Sequence, residues 1–243
     1  MTTREFSDSF TVLLSSYATK AQFGDNVSGR DVVLDEYEKS VFLTLAQEEL
    51  CISLYSGKNS YGESFEYTEE MRRYLDGLIK SKIYSGSDAL STATGSGRRP
   101  LDSKHSKFFK LEDDVMFIVY EQITFEDCSL GCCDGTVVNV QPVTHDEYNK
   151  VKRNPFRGPS KYKAIRLDSG NGEVEIISKY HYASYLMRYL SRPSPIILED
   201  LPDGLEIDGS SEEQTCQLNP ALHQLILKRA VQMALESKGL YSR

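Results

Sequence analysis

The stretch that settles the central fold reads Lys161-Tyr-Lys-Ala-Ile-Arg-Leu-Asp-Ser-Gly-Asn-Gly-Glu-Val-Glu-Ile-Ile-Ser178. Two short runs rich in aliphatic residues, 161–167 and 173–178, flank Asp168-Ser-Gly-Asn-Gly172. The glycines accept positive φ, which a tight reversal between two strands requires. Similar strand material lies to either side. Upstream are Lys107–Leu111, Val115–Thr124 and Thr136–Gln141, with their β-branched and aromatic residues, and downstream are Tyr182–Leu190 and Pro195–Leu198. The run Tyr182-Ala-Ser-Tyr-Leu-Met-Arg-Tyr-Leu fits a helix as well as a strand. Thr144-His-Asp-Glu has the form of a capping box, opening a short helix to about Arg153 that Asn154-Pro155 closes.

Helices flank this region. Phe6, Phe10, Leu13, Leu14 and Tyr17 fall at helical spacing, and the run stops near Gly24. Asp31 is placed to cap a second helix, whose stripe is Val33, Tyr37, Val41, Leu45 and Glu48, joined by Leu34, Phe42 and Leu54 and ended by Ser56-Gly57. Thr68-Glu69-Glu70 opens a third, with Met71, Tyr74, Leu75, Leu78, Ile79 and Ile83 on one face and Gly86 as its stop. Leu218-Asn219-Pro220 opens the last helix with a cap residue and then proline at the first turn. Its apolar positions, from Leu222 to Leu235, take up most of the circumference, so its own domain or a neighbour must cover it on nearly all sides. The fold class is therefore α+β, with N-terminal helices, a central, mostly antiparallel β region and a long C-terminal helix. The expected organisation is a helical layer over 1–85, a flexible loop over 86–106, and a β-rich region with the C-terminal helix over 107–243, forming one domain with 1–85.

Composition narrows the function. The 243 residues hold 36 acids against 28 Lys and Arg, a net charge of −8, which is the wrong sign for a general nucleic-acid binder. No apolar run reaches the ~18 residues that span a bilayer, and no secretory leader is visible. Five cysteines in a chain this long suit a reducing compartment better than a disulfide framework. Tyrosine, at 15 residues, is abundant where tryptophan is absent, and it is favoured at protein contacts.

Positive signs of chemistry are few. Cys128-Ser-Leu-Gly-Cys132-Cys133 has CxxxCC spacing rather than the paired CxxC of zinc sites, so free thiols in a turn are the expectation. His105, His145, His181 and His223 share no motif with a carboxylate or nucleophile, and His223 reads as a packing or interface residue. No Walker, GxGxxG, GxSxG or HExxH pattern occurs, and no enzyme is expected.

Charge patterning says more. Between Tyr148 and Leu167 stand seven cations and no acid: Lys150, Lys152, Arg153, Arg157, Lys161, Lys163 and Arg166. Between Pro193 and Leu227 stand seven acids and no Lys or Arg: Glu199, Asp200, Asp203, Glu206, Asp208, Glu212 and Glu213. Three readings stand. The runs are solvated faces, or they face each other within a subunit or across a repeated contact, or the basic run binds phosphate. On the second, the candidate docking contacts are Lys152, Arg153, Arg157, Arg188, Arg192, Glu199, Asp200, Asp203, Glu206 and His223.

Three stretches carry a resemblance: Val151-Lys-Arg-Asn-Pro-Phe-Arg-Gly-Pro159, Tyr185-Leu-Met-Arg-Tyr-Leu-Ser-Arg-Pro-Ser-Pro-Ile-Ile-Leu198 and Cys216-Gln-Leu-Asn-Pro-Ala-Leu-His-Gln-Leu-Ile-Leu-Lys-Arg-Ala-Val231. The sequence resembles the neck ring (head–tail connector) proteins of crAss-like tailed bacteriophages. The resemblance implies a structural virion protein without cofactor or metal, assembled in the host bacterial cytoplasm. Its copies, usually twelve, would form a ring against the portal protein and other neck or tail ring proteins, with DNA passing through unbound and no membrane involved. The alternatives are a soluble enzyme whose site is too dispersed to see, and a nucleic-acid-binding module using residues 150–166.

Overall fold

The computed structural model describes residues 1–22, 33–59, 62–90, 101, 106–127, 135–202 and 204–239. The chain divides into two units: Met1–Leu78 with Arg192–Arg243, and the segment Ile79–Ser191 inserted between them.

The first unit is helical. Helix α1 spans Thr3–Gln22, α2 Glu36–Ser56, α3 Glu69–Leu75 and α5 His223–Ser237, while α4 belongs to the second unit. As the spacing predicts, α1 buries Phe6, Phe10 and Leu14, and it packs on α5, where the Phe6 and His223 rings lie 5.2 Å apart. Asn219 caps the entry to α5, its Oδ1 accepting from the Ala221 N–H at 3.0 Å with Pro220 beside it. Helix α5 buries Ile226, Leu227, Ala230, Val231, Ala234 and Leu235 against α1 and α2.

Helix α2 corrects two expectations. Asp31 lies outside the described residues, and Asp35 provides the cap, accepting from the Glu38 N–H at 2.7 Å. The buried face is also not the expected stripe. Val33 and Leu45 are exposed, while Ser40, Leu43, Thr44, Ala46, Gln47, Cys51 and Leu54 are buried. The reason is polar. The Ser40 Oγ accepts from the Leu198 N–H at 3.0 Å, the Thr44 Oγ1 accepts from the Ile196 N–H at 3.0 Å, and the Gln47 amide donates to the Ser194 carbonyl at 2.8 Å. Residues 194–198 thus satisfy their backbone on a helix face instead of in a sheet. Outside one bridge from Ile197 to Gln214, this stretch is not the strand expected of Pro195–Leu198.

The third helix is shorter than its apolar spacing predicts. It ends at Leu75, a 3-10 turn covers Asp76–Leu78, and Ile79–Ser85 is strand β1. Gly77 weakens the helix interior, and a side chain there would meet the Gln217 carbonyl at 3.2 Å. Beyond it the strand wins because every residue from Ile79 to Ser85 finds a partner in β7, His181–Ser191. Ile83, part of the expected helical stripe, is exposed, and Tyr84 is buried instead.

The second unit is a seven-stranded sheet. Its other strands are β2 Ser106–Lys110, β3 Val115–Asp127, β4 Val137–Pro142, β5 Lys163–Gly170 and β6 Glu173–Ile177, in the order β1-β7-β3-β4-β5-β6-β2. Every pairing is antiparallel except β4–β5, which is parallel and crossed by α4, His145–Arg153. The ambiguous run 182–190 is a strand at the heart of the sheet, bonded to β1 and β3. The 168–172 reversal has Gly170, Asn171 and Gly172 at φ 85°, 54° and 70°. Although β1 and β2 are the two edges, the Tyr84 and Phe109 rings lie 5.6 Å apart and both meet Tyr185, so the sheet curls around an aromatic interior. Of the expected loop 86–106, Gly86–Asp88 forms a 3-10 turn and Leu90 bridges Phe108, whereas 91–100 and 102–105 lie outside the described residues.

Replacing Thr44 with valine keeps the volume but leaves the buried Ile196 N–H unpaired. We expect Thr44→Val to cost about 1–3 kcal/mol, read as a lower urea midpoint by circular dichroism. An unchanged midpoint would show that the hydroxyl contributes nothing.

Candidate functional site

The two charge tracts fall in different units. The basic one is built on the β4–α4–β5 crossover. Tyr148 and Val151 turn inward onto Ile165, Leu167 and Ile177, and Lys150, Lys152 and Arg153, at the other helix positions, are exposed. Acids in the first turn (Asp146, Glu147) and bases in the last complement the helix dipole. The expected cap at Thr144 is present in position, but its side chain caps no helix N–H. Its hydroxyl bonds Asp146, and this bond leads the causes that hold the exposed Asp146 carboxyl below its ordinary range. Arg157 follows on the exposed turn after the helix. Lys150, Lys152, Arg153 and Arg157 make no ion pair among the described residues. The one cation of the run that turns inward is Arg166.

The acidic tract is a folded lobe. Ile197 and Gln214 bridge its base, the Leu201 N–H donates to the Ser211 carbonyl at 2.8 Å, and the Glu213 N–H donates to Asp200 Oδ1 at 2.8 Å. Asp208 and Gly209, at φ 49° and 76°, turn the tip between bridged Ile207 and Ser210. Glu199, Asp200, Glu206, Asp208, Glu212 and Glu213 are exposed, and none has a cation within ion-pair distance among the described residues. Asp203 lies outside the described residues.

The remaining candidates sit differently. Arg188 is exposed on β7, opposite Ser81 and Tyr120. Arg192 pairs with Glu48 at 3.3 Å. His223 is a packing residue, 4% exposed, with Nδ1 3.0 Å from the Met1 amino group and Nε2 3.2 Å from the Leu218 carbonyl. An ammonium can only donate, so Nδ1 accepts and the proton sits on Nε2. Burial, then the neighbouring ammonium, pushes the imidazole below its usual range.

Sequence reading missed a buried charged cluster. In the curled interior Arg166 donates to Glu121 Oε2 at 2.8 Å, and the Tyr185 hydroxyl donates to Oε1. Burial raises the Glu121 carboxyl and Arg166 works against it, while burial and then Glu121 push the Tyr185 phenol up. On β6 the fully buried Glu175 accepts from the Leu101 N–H at 2.7 Å and from the Ser106 hydroxyl, which pins the described end of the 86–106 loop. The only hint in the sequence is acids alternating with aliphatics in Glu173-Val-Glu-Ile-Ile177. Cys128, Cys132, Cys133 and His105 lie outside the described residues, and among the described ones no three His, Cys, Asp or Glu side chains gather as metal ligands do. Cys51 and Cys216 are free thiols, and burial pushes Cys51 up to about 12.

Comparison with known proteins gives three findings. Residues 1–243 match the family described as phage tail ring protein 3/4. Ring protein 3 of Bacteroides phage crAss001 is 48% identical over 239 residues, covering 98% of this chain and 96% of that protein. Ring protein 4/5 of the same phage is 31% identical over 243 residues, covering 96% and 92%.

Two stability experiments follow from the buried groups. Arg166→Met strands the Glu121 carboxylate without its counter-charge and should cost about 3–5 kcal/mol, much of it recovered when Glu121 is made leucine as well. Equal urea midpoints for the wild type and Arg166→Met would contradict this. For His223 the folded state holds its proton less well than the unfolded chain. Its stabilising contribution is present above the unfolded value, about 6.5, and is lost as pH falls through the lower folded value. We expect the urea midpoint to fall between about pH 7 and pH 5, and His223→Gln to flatten that slope.

Proposed function

We propose that this chain, which belongs to the phage tail ring protein 3/4 family, builds one ring of the head–tail connector in the neck of the virion. Family membership makes it a structural ring protein of a crAss-like phage. On our reading its copies, twelve by the family resemblance, dock head to tail around the DNA exit channel. They stack against the portal and further ring proteins after assembly in the host bacterial cytoplasm. The work is geometric, and no bond is made or broken.

One observation carries the docking mode. Lys150, Lys152, Arg153 and Arg157 on one tract, and Glu199, Asp200, Glu206, Asp208, Glu212 and Glu213 on the other, are exposed and make no ion pair among the described residues. A contact that joins two different patches closes into a ring when its rotation allows. Opposite charge steers that encounter and rejects wrong partners. Lys152, Arg153, Arg157 and Arg188 supply one side, and Glu199, Asp200, Asp203 and Glu206 the other. Arg192, paired with Glu48, and His223, buried in its own subunit, are not among the groups we assign to the contact. Cations facing a neighbour are kept out of the lumen, where Lys and Arg would hold a duplex by releasing counterions.

Mass photometry and negative-stain imaging, with and without the portal, test this. The wild type should form closed rings. Lys152→Glu with Arg157→Glu should abolish them, and adding Glu199→Lys with Glu206→Lys to the same chain should restore them. A chain that stays monomeric in both conditions, or a charge swap that restores nothing, would refute the docking mode. Tight, salt-sensitive DNA binding by the wild type would favour the nucleic-acid reading instead.

A further inference from the structure

Among the described residues Phe156 is the most exposed large apolar side chain, at 87%. Nothing in the charge pattern explains it. A phenylalanine in a slack loop would fold back onto the protein, and this one is held away by its own turn. The Asn154 N–H donates to the Val151 carbonyl at 3.0 Å and closes α4. Asn154 Oδ1 then accepts from the N–H groups of Phe156 at 2.9 Å and Arg157 at 3.2 Å, and its backbone carbonyl accepts from Gly158 at 2.8 Å. Pro155 fixes φ just before Phe156. Gly158 lies against the helix end so closely that a Cβ would sit 3.0 Å from the Asn154 carbonyl oxygen. Further on, the Ser160 N–H donates to the Lys163 carbonyl at 2.9 Å, which fastens the other end. The turn is therefore preorganised, with exposed Phe156 followed directly by exposed Arg157 and preceded by exposed Lys152 and Arg153 on the last turn of α4.

An aromatic residue at the centre with charges at the rim is the anatomy of a protein contact, and a prefixed turn lowers the ordering cost of making it. The cationic rim calls for an acidic surface with an apolar spot. The acidic lobe has one: Leu205, 40% exposed, is the large apolar side chain left open within that tract, and exposed Pro202 accepts its N–H at 3.0 Å.

We propose that Phe156 is the apolar anchor of the contact between copies, seated on Leu205 and Pro202 of the acidic lobe of the next subunit. This rests on the reading of the chain as a ring subunit. It adds which residue provides the affinity, while the surrounding charges provide direction.

Phe156→Ala should leave the urea midpoint of the monomer unchanged, because the side chain touches little of its own protein. It should raise the concentration at half-assembly by at least about tenfold, and Phe156→Leu should recover part of that. Placement is read by incorporating p-benzoylphenylalanine in place of Phe156 and mixing isotopically heavy and light copies. Irradiation should join it to the peptide containing 199–213 of the differently labelled copy. Rings that form equally well with Phe156→Ala, or crosslinks only within one copy or only to the portal, overturn the anchor and leave the ring reading standing. A wild-type chain that never assembles overturns both.

Discussion

Strand β1 carries the chain out of the helical unit at Leu78, and β7 returns it at Arg192. The two are paired residue for residue, from Ile79 opposite Leu190 to Ser85 opposite Ser184. An insertion of more than a hundred residues thus begins and ends at one place, and the helical unit is interrupted at one point only. The remaining strands follow from this closure. Strand β7 needs a second neighbour and finds β3, and the curl that brings Tyr84 to Phe109 buries the aromatic face that the β1–β7 pair starts. The helical unit meets the returning chain with the polar stripe of α2, which bonds residues 194–198 directly after β7 ends.

Much of this could be read from the residues, and the failures have a common cause. The 168–172 reversal and the ends of α5 were legible because each depends on local chemistry, glycine at positive φ, a capping residue or proline at a first turn, whereas the short α4 stands where it was expected although Thr144 caps no helix N–H. The segment 69–85 and the buried face of α2 were not. In both, a distant segment decides the outcome: β7 recruits Ile79–Ser85, and the backbone of 194–198 recruits Ser40, Thr44 and Gln47. Periodicity of apolar residues cannot register a helix that buries hydroxyls on purpose. Polar residues at 40, 44 and 47, at helical spacing, were the available signal.

The charge tracts were visible as composition, but their contents were not. Arg166 stands in the basic run yet serves the curled interior, where it offsets the buried Glu121. The parity of β5 explains the split: Ile165 and Leu167 face α4, so Arg166 faces the other way. Phe156 carried no weight in a reading based on charge, and its meaning depends on the Asn154 turn, which only the structure displays.

The partner of the first helix is also the last to be made. Phe6, Phe10 and Leu14 are covered by α5, which lies more than two hundred residues downstream. At about 5–20 residues per second, roughly 10–40 s pass between the emergence of α1 and that of α5. During that interval Phe6, Phe10 and Leu14 lack the α5 surface that they pack on in the folded chain. Premature association through this face therefore competes with folding until α5 has emerged.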